Sequence, residues 1–407
     1  MKPPPRRVLA HCSALFAALA LALGGCAGAG HAYGCDPDAG ECHGNPFSDG
    51  GTTVSTFVSS AVTVWHDGMH NSDIDVVAFN GALFGVFRHA STFTVSATAS
   101  LYIVTSTDSG ATWAKSAELV SNPAADAGPG LDLREPKLSV FQGALHVTVT
   151  AWDPTDPDDH VTTVLAASSS DGVHFSQLLP AGLVSGSEAW RPRQVSESLW
   201  ISAWKADELF PNDAPGGLSL YASLDGQSFN GAVSLPVGPG AHQGELLVRS
   251  DNTLWIAIPE RQESDSVDQQ TICHTPIVLP YNFTCWSVAQ APIDSPALFE
   301  FDGVLLLLGG HALDDGRGRT AIWQVDDGAQ SFDLIADLPQ SEGETGDPSI
   351  VGLDSSHALI SYHTTSTLDP RVQALGHEPT TLESESDGFA VDIDAVVLNL
   401  DQVPAGD

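Results

Sequence analysis

One arrangement recurs along the chain and leaves it few folds. Two strand-like segments meet at a tight turn. A third strand, a compact Ser/Asp/Gly turn closed by an aromatic, and a fourth strand follow. The leading hairpins span 76–88, 137–149, 192–204, 245–258, 298–310 and 349–362. Their turn positions Gly81, Gly143, Ser198, Asn252, Gly303 and Ser355 are separated by 62, 55, 54, 51 and 52 residues. A period near 50 with four strands per unit marks a propeller, because each unit buries its apolar faces only against its neighbours. Six units predict an all-β, six-bladed β-propeller with four-stranded antiparallel blades over 53–402. The 38 Gly and 26 Pro suit many short strands joined by turns. No long amphipathic helical pattern argues for an α/β fold.

The turn in the second half of each unit carries the sharper motif. Ser106, Asp108, Gly110, Thr112 and Trp113 form a complete Ser-x-Asp-x-Gly-x-Thr-Trp box. Ser169–Phe175 and Ser223–Phe229 are shorter copies, and Asp326-Asp327-Gly328 with Phe332 is a degenerate one. The aspartate accepts backbone N–H bonds across the turn, the glycine supplies positive φ and the aromatic plugs between strands. These aspartates are therefore structural. The fourth unit has no box, and Cys273 and Cys285 stand where its outer hairpin belongs. Boxes in this register resemble the sialidase superfamily across about 54–402. His70-Asn71, Asp132–Ser139 and Gly346-Asp347-Pro348 resemble segments of sialidase-like bacterial proteins.

In such propellers ligands bind where the innermost strands begin, on the face opposite the boxes. Glu135, Glu245 and Asp347 are the catalytic candidates there, with Asp73 and Glu344 among the neighbouring carboxylates. Arg88, Arg134, Lys137, Arg191, Arg261, Arg319, Trp190, Tyr362 and His363 are the expected ligand-binding residues. Three of the 15 Lys and Arg leave with the leader, and nine of the remaining twelve fall near the mouth ends of strands. That placement predicts a focused positive patch for an anionic group.

The resemblance implies three arginines on a substrate carboxylate, an acid/base Asp and a Tyr nucleophile activated by a Glu. Glu245 and Arg261 match the Glu and the second Arg, and Arg317 or Arg319 matches the third. The first Arg is missing near 71, residues 89–107 hold no acid, and Gly346-Asp347-Pro348 stands where the Tyr belongs. The expectation is a propeller that binds an anionic or other glycan at its mouth without ordinary sialidase chemistry. The alternatives are a glycoside hydrolase or lyase using mouth carboxylates, and a protein-interaction scaffold. No metal or other cofactor is expected.

Residues 1–25 read as an export leader. Lys2, Arg6 and Arg7 precede an apolar stretch from Ala10 to Leu23 that is too short to span a membrane. Leu23-Gly24-Gly25-Cys26 resembles a bacterial lipoprotein box with Cys26 as the lipidated residue, and 26–52 read as a flexible tether. Disulfides Cys35–Cys42 and Cys273–Cys285 fit an oxidising compartment. Neither pair has the short spacing of a metal site. The net charge of −36 argues against nucleic acid and against electrostatic adhesion to anionic membranes. The expected protein is a monomeric outer-membrane lipoprotein that contacts the membrane through its lipid alone. Cys26→Ala is expected to release soluble protein in cell fractionation. A variant that still sediments with membranes would refute the anchor.

Overall fold

The computed structural model describes residues 57–59, 61–121, 130–155, 162–205, 217–238, 240–261, 269–289, 291, 293–313 and 315–403. Cys26, Cys35 and Cys42 lie outside them. The described chain is an all-β propeller built from four-stranded antiparallel blades. The first repeat supplies β2 (His70–Phe79), β3 (Ala82–Ala90), β4 (Ser100–Ser106) and β5 (Ala114–Leu119). The second supplies β6 (Asp132–Phe141), β7 (Ala144–Trp152), β8 (Thr162–Ser169) and β9 (Leu179–Pro180). In the third, the inner strand is broken into β10 (Ser187–Ala189) and β11 (Arg193–Val195), which both pair with β12 (Ser198–Lys205). Pro192 falls in the break, and proline offers no N–H to a ladder. β13 (Ser219–Ser223) and β14 (Asn230–Ser234) complete that sheet.

The fourth repeat contributes β15 (Glu245–Val248), β16 (Thr253–Glu260), β17 (Gln269–Pro276) and β18 (Thr284–Ala289). The fifth contributes β19 (Asp294–Phe301), β20 (Val304–Ala312), β21 (Gly318–Asp326) and β22 (Ser331–Asp337). The last contributes β23 (Thr345–Gly352), β24 (His357–Thr365) and β25 (Val391–Asn399). Its outer strand is borrowed from the start of the domain. β1 (Val62–Trp65) runs antiparallel to β25, with Val62 opposite Ala395 and Trp65 opposite Ile393. The alternation of polar and apolar residues over 53–65 predicts a strand that closes the last repeat, and 62–65 form it. It covers an edge that would otherwise be free to pair. A single parallel bridge, His70 to Val391, joins this sheet to the β2–β5 sheet.

The boxes fold as their chemistry requires. Asp108 Oδ1 accepts from Thr112 N at 2.9 Å, and Asp171 Oδ1 accepts from Val173 N and His174 N at 2.9 and 2.8 Å. Gly172 has φ +76°, and a Cβ there would lie 2.3 Å from the Phe84 ring. Gly110 presses in the same way on Leu359, and Gly226 on His146. Each of these three glycines thus seats against the second strand of the preceding repeat, so the box turn is also an inter-blade contact. In the fourth repeat, which has no box, Cys273–Cys285 bridges β17 to β18 instead.

The axis is closed by polar groups rather than by apolar packing alone. Arg191, 0 % exposed, donates to Asp75 Oδ1 and Glu245 Oε2 at 2.8 Å each, and to the Pro348 carbonyl at 3.1 Å. Asp75 also accepts from Leu138 N at 2.7 Å and from the Ser349 hydroxyl at 2.6 Å. The neighbouring Trp190 indole donates to Pro296 O at 3.1 Å. These bonds tie all six repeats to one point. Removing one partner of a buried ion pair leaves an uncompensated charge and costs about 3–5 kcal/mol. Arg191→Met is expected to lose that much in denaturant unfolding. A loss below about 1 kcal/mol would mean that the hub is not needed for stability.

Candidate functional site

Just inside the mouth, the inner strands share a distortion. Asp73, Glu135, Ser295 and Asp347 sit at register breaks with φ of 63°, 49°, 52° and 46°, and Gln243 precedes β15 with φ 45°. Left-handed backbone at a non-glycine residue costs of order 1–3 kcal/mol and persists only where the surroundings impose it. Here those surroundings are the neighbouring repeats. Asp73 Oδ2 accepts from Glu135 N at 3.1 Å, Gln243 Nε2 donates to Glu135 Oε1 at 3.3 Å, and Gln243 Oε1 accepts from Ser295 N at 3.1 Å. The bulge re-aims side chains. Asp73, Glu135 and Asp347 face a cleft of about 520 Å³, whereas Asp75, Lys137 and Ser349, two residues on, are buried beneath it.

The cleft is also lined by Arg134, Trp152, Arg261, Asp294, Glu344 and His363, among others. The Arg134 guanidinium lies 5.4 Å from the ring centres of both Phe93 and Trp152, and it donates to Asp132 Oδ2 and to the Phe93 carbonyl. An excursion from the last repeat forms α1 (Pro370–Leu375) and α2 (Thr381–Asp387). Thr381 and Glu385 of α2 reach the rim.

The carboxyl groups are driven apart electrically. Burial pushes Glu135 well above the usual carboxylate range, and the charges of Glu188, Asp347 and Asp73 push the same way against Lys137. Burial also raises Asp347, with Asp73 adding to the rise. Asp73 goes the other way. Burial opposes its ionisation, but the charges of His363, Lys137 and Arg88 and the hydrogen bond from Glu135 N outweigh that and hold it at about 2. Asp73, Asp347 and His363 offer ligand atoms within 4.8 Å of one another. The Lys137 ammonium, 3.7 Å from Asp347 Oδ1 and 3.9 Å from the Trp190 ring centre, already supplies a cation there.

Of the residues expected from the sequence, the structure brings Glu135, Asp347, Arg134, Arg261 and His363 to the cleft. The others face elsewhere. Glu245 is fully buried, its oxygens taken by Arg191 and Arg193 at 2.8 and 2.7 Å. Arg88 is a buried fork on Asp132, with Nε and Nη2 at 2.9 and 3.0 Å. Arg191 is the axial hub, Trp190 packs at 0 % exposure, and Lys137 lies under the floor at 1 %. Arg319 and Arg317 clasp Glu378, which anchors the excursion. Tyr362 is buried with its hydroxyl donating to Pro339 O, and burial raises its pKa. The positive patch is therefore replaced by a carboxylate-rich mouth. Asp73 was recognisable from its strand position alone. Phe93, Glu188 and Glu385 carry no signal in the sequence.

No family model matches the chain, and no curated protein does. Solved structures do. A protein of unknown function from Dyadobacter fermentans superposes with a TM-score of 0.64 at 15% identity, covering 85% of this chain and 100% of that one. An α-L-arabinofuranosidase from Fusarium graminearum, in complex with an iminosugar inhibitor, gives 0.58 at 14%, covering 85% and 99%. The endosialidase of phage phi92 gives 0.61 at 9%, covering 86% and 70%. The fold is that of the sialidase-like and arabinofuranosidase propellers.

Glu188, 7 % exposed, has its pKa pushed up from 4.5 to about 7 by burial, against the charges of Arg261 and Arg134. A raised folded value means that the native state holds the proton. This stabilisation is complete below 4.5 and fades as pH rises through about 7. Glu188→Gln is expected to flatten the fall in urea midpoint over that window. A pH dependence identical to wild type would exclude this role.

Proposed function

We propose that the protein is a surface-anchored, six-bladed propeller that hydrolyses glycosidic bonds of a neutral saccharide at its mouth. Counting the eight-stranded sheet as two blades joined by one bridge gives six, in keeping with the six repeats. The observation that carries the reading is the opposed titration of two carboxyls in one cleft. Burial pushes Glu135 toward its protonated form, whereas the charges of His363, Lys137 and Arg88 hold Asp73 ionised. Environments that drive a carboxyl pair apart assign the acid and its charged partner. Glu135 gives its proton to the glycosidic oxygen as the C–O bond breaks. Asp73 stabilises the positive charge that grows on the anomeric carbon, and the water that attacks this carbon returns a proton to Glu135. Phe93 and Trp152 offer apolar faces to sugar rings.

A neutral substrate follows from charge. Among the described lining residues, Asp73, Asp294, Glu344, Asp347 and Glu385 stand against Arg134 and Arg261, with Glu135 pushed toward its neutral form. Both arginines already have carboxylate partners, Asp132 and Asp294. Glycan binding without turnover is the second reading, and the missing sialidase residues and the inward-facing Tyr362 favour it over sialidase chemistry. Anchoring through Cys26 belongs to the proposal. Among the described residues no helix is long and apolar enough to cross a membrane.

The test is a hydrolysis screen over aryl glycosides, including α-L-arabinofuranoside and α-sialoside, and over arabinobiose. Glu135→Gln is expected to lower kcat on the accepted substrate by about 10²–10⁴-fold with the fold intact. Wild-type activity is expected to fall as pH rises through the elevated Glu135 pKa, because the acid form is lost. Full turnover by Glu135→Gln, or cleavage of the sialoside alone, would refute the assignment.

A further inference from the structure

A second pocket of about 450 Å³ abuts the cleft and shares two of its walls, Phe93 and Glu385. It is framed by His70, by Ser91–Thr94 after β3, and by residues 385–390 after and within α2. Its floor and sides are hydroxyls, backbone, His70 and the apolar surfaces of Met69 and Phe389, with Glu385 and Asp387 set against the single arginine Arg371. Arg371 is already engaged by Asp369 and by the carbonyls of Asp387 and Gly388. With its one arginine already engaged and two carboxylates on its rim, the pocket disfavours an anion and suits a neutral polar ligand.

Phe93, on the ridge between the pockets, is 37 % exposed, yet it is not loose. Its carbonyl receives the Arg134 guanidinium, whose carbon lies 5.4 Å from the ring, and the centre of the His70 ring is 5.8 Å from its own. An exposed aromatic held in place is a preorganised stacking platform, since its ordering cost is met before any ligand arrives. Beneath the ridge, His70 Nε2 and Glu344 Oε1 are 2.8 Å apart. His70 belongs to the wall of the second pocket and Glu344 to that of the cleft. Both are more than nine-tenths buried, and His70 Nδ1 and Glu344 Oε2 have no hydrogen-bond partner. Buried polar atoms left this way are uncommon and need an explanation, such as a ligand or an ordered water.

We propose that the second pocket is a saccharide subsite continuous with the cleft across Phe93, so that the protein takes a chain of sugars rather than one terminal unit. The proposal rests on the saccharide reading of the cleft and deepens it. Neighbouring rings of one neutral chain occupy the two pockets, and Phe93 packs against the chain where it crosses the ridge.

The experiment measures binding by calorimetry with methyl monoglycosides, disaccharides and tetrasaccharides of arabinose, xylose, galactose and glucose. It compares wild type with Thr92→Trp, a bulky change at an exposed position of the second pocket, and with Phe93→Ala. The expected result is a tetrasaccharide that binds about tenfold or more tightly than its monoglycoside, a gain of the size one aromatic platform supplies. Thr92→Trp is expected to abolish the gain while monoglycoside affinity stays unchanged, and Phe93→Ala to reduce it. Equal affinity at every chain length, or a gain that survives Thr92→Trp, overturns the subsite and leaves the cleft reading standing. Failure of every saccharide to bind wild type overturns both.

Discussion

The Arg191 guanidinium is the interaction on which the rest of the molecule depends. A propeller brings the inner strands of all its repeats to one axis, where little room remains and water is excluded. A guanidinium there demands carboxylates, and it takes Asp75 from the first repeat and Glu245 from the fourth. Its third bond goes to a carbonyl of the last repeat, and Asp75 passes the connection on to the second. The fork geometry of Arg suits this division, since each nitrogen has a fixed direction. With the axis sealed, the cleft above has a dry floor. That floor is what pushes Glu135 and Asp347 up, and Lys137 within it helps hold Asp73 down. The structural hub and the chemical asymmetry of the mouth therefore have one origin.

Much of the fold was legible because its signals are local. A box aspartate caps a turn three or four residues away, and a cysteine pair twelve residues apart sits across one hairpin. The closing strand was legible from its alternation and from a last repeat that has no box of its own and carries a long excursion over 364–388. The site was legible only as a set of strand ends. Which of those side chains turn up into the cleft and which turn down to the axis is decided by the bulges. At β2, β6 and β23 the left-handed residue faces the mouth and the residue two further on is buried, against the simple expectation that i and i+2 share a face. Asp73 and Asp75, or Glu135 and Lys137, look equivalent in the sequence and are opposites in the structure.

The placement of the basic residues carries the same lesson. They do gather near one end of the strands, but Arg88, Arg191 and Arg193 are consumed by Asp132, Asp75 and Glu245. Arg317 and Arg319 go to Glu378. In a chain with this excess of acid, scarce cations go where a carboxylate must be buried. Proximity to the mouth reflects the crowding of inner strands there.

The box glycines extend the argument from one chain to the architecture. Gly110, Gly172 and Gly226 each sit against a particular side chain of the preceding repeat, Leu359, Phe84 and His146. A repeat of this kind is thus keyed. It carries a flat tooth for the repeat before it and a socket for the repeat after it. Shuffling or duplicating such units would preserve the ring only where tooth and socket travel together, so the interchangeable module is the joint between two blades rather than the blade itself.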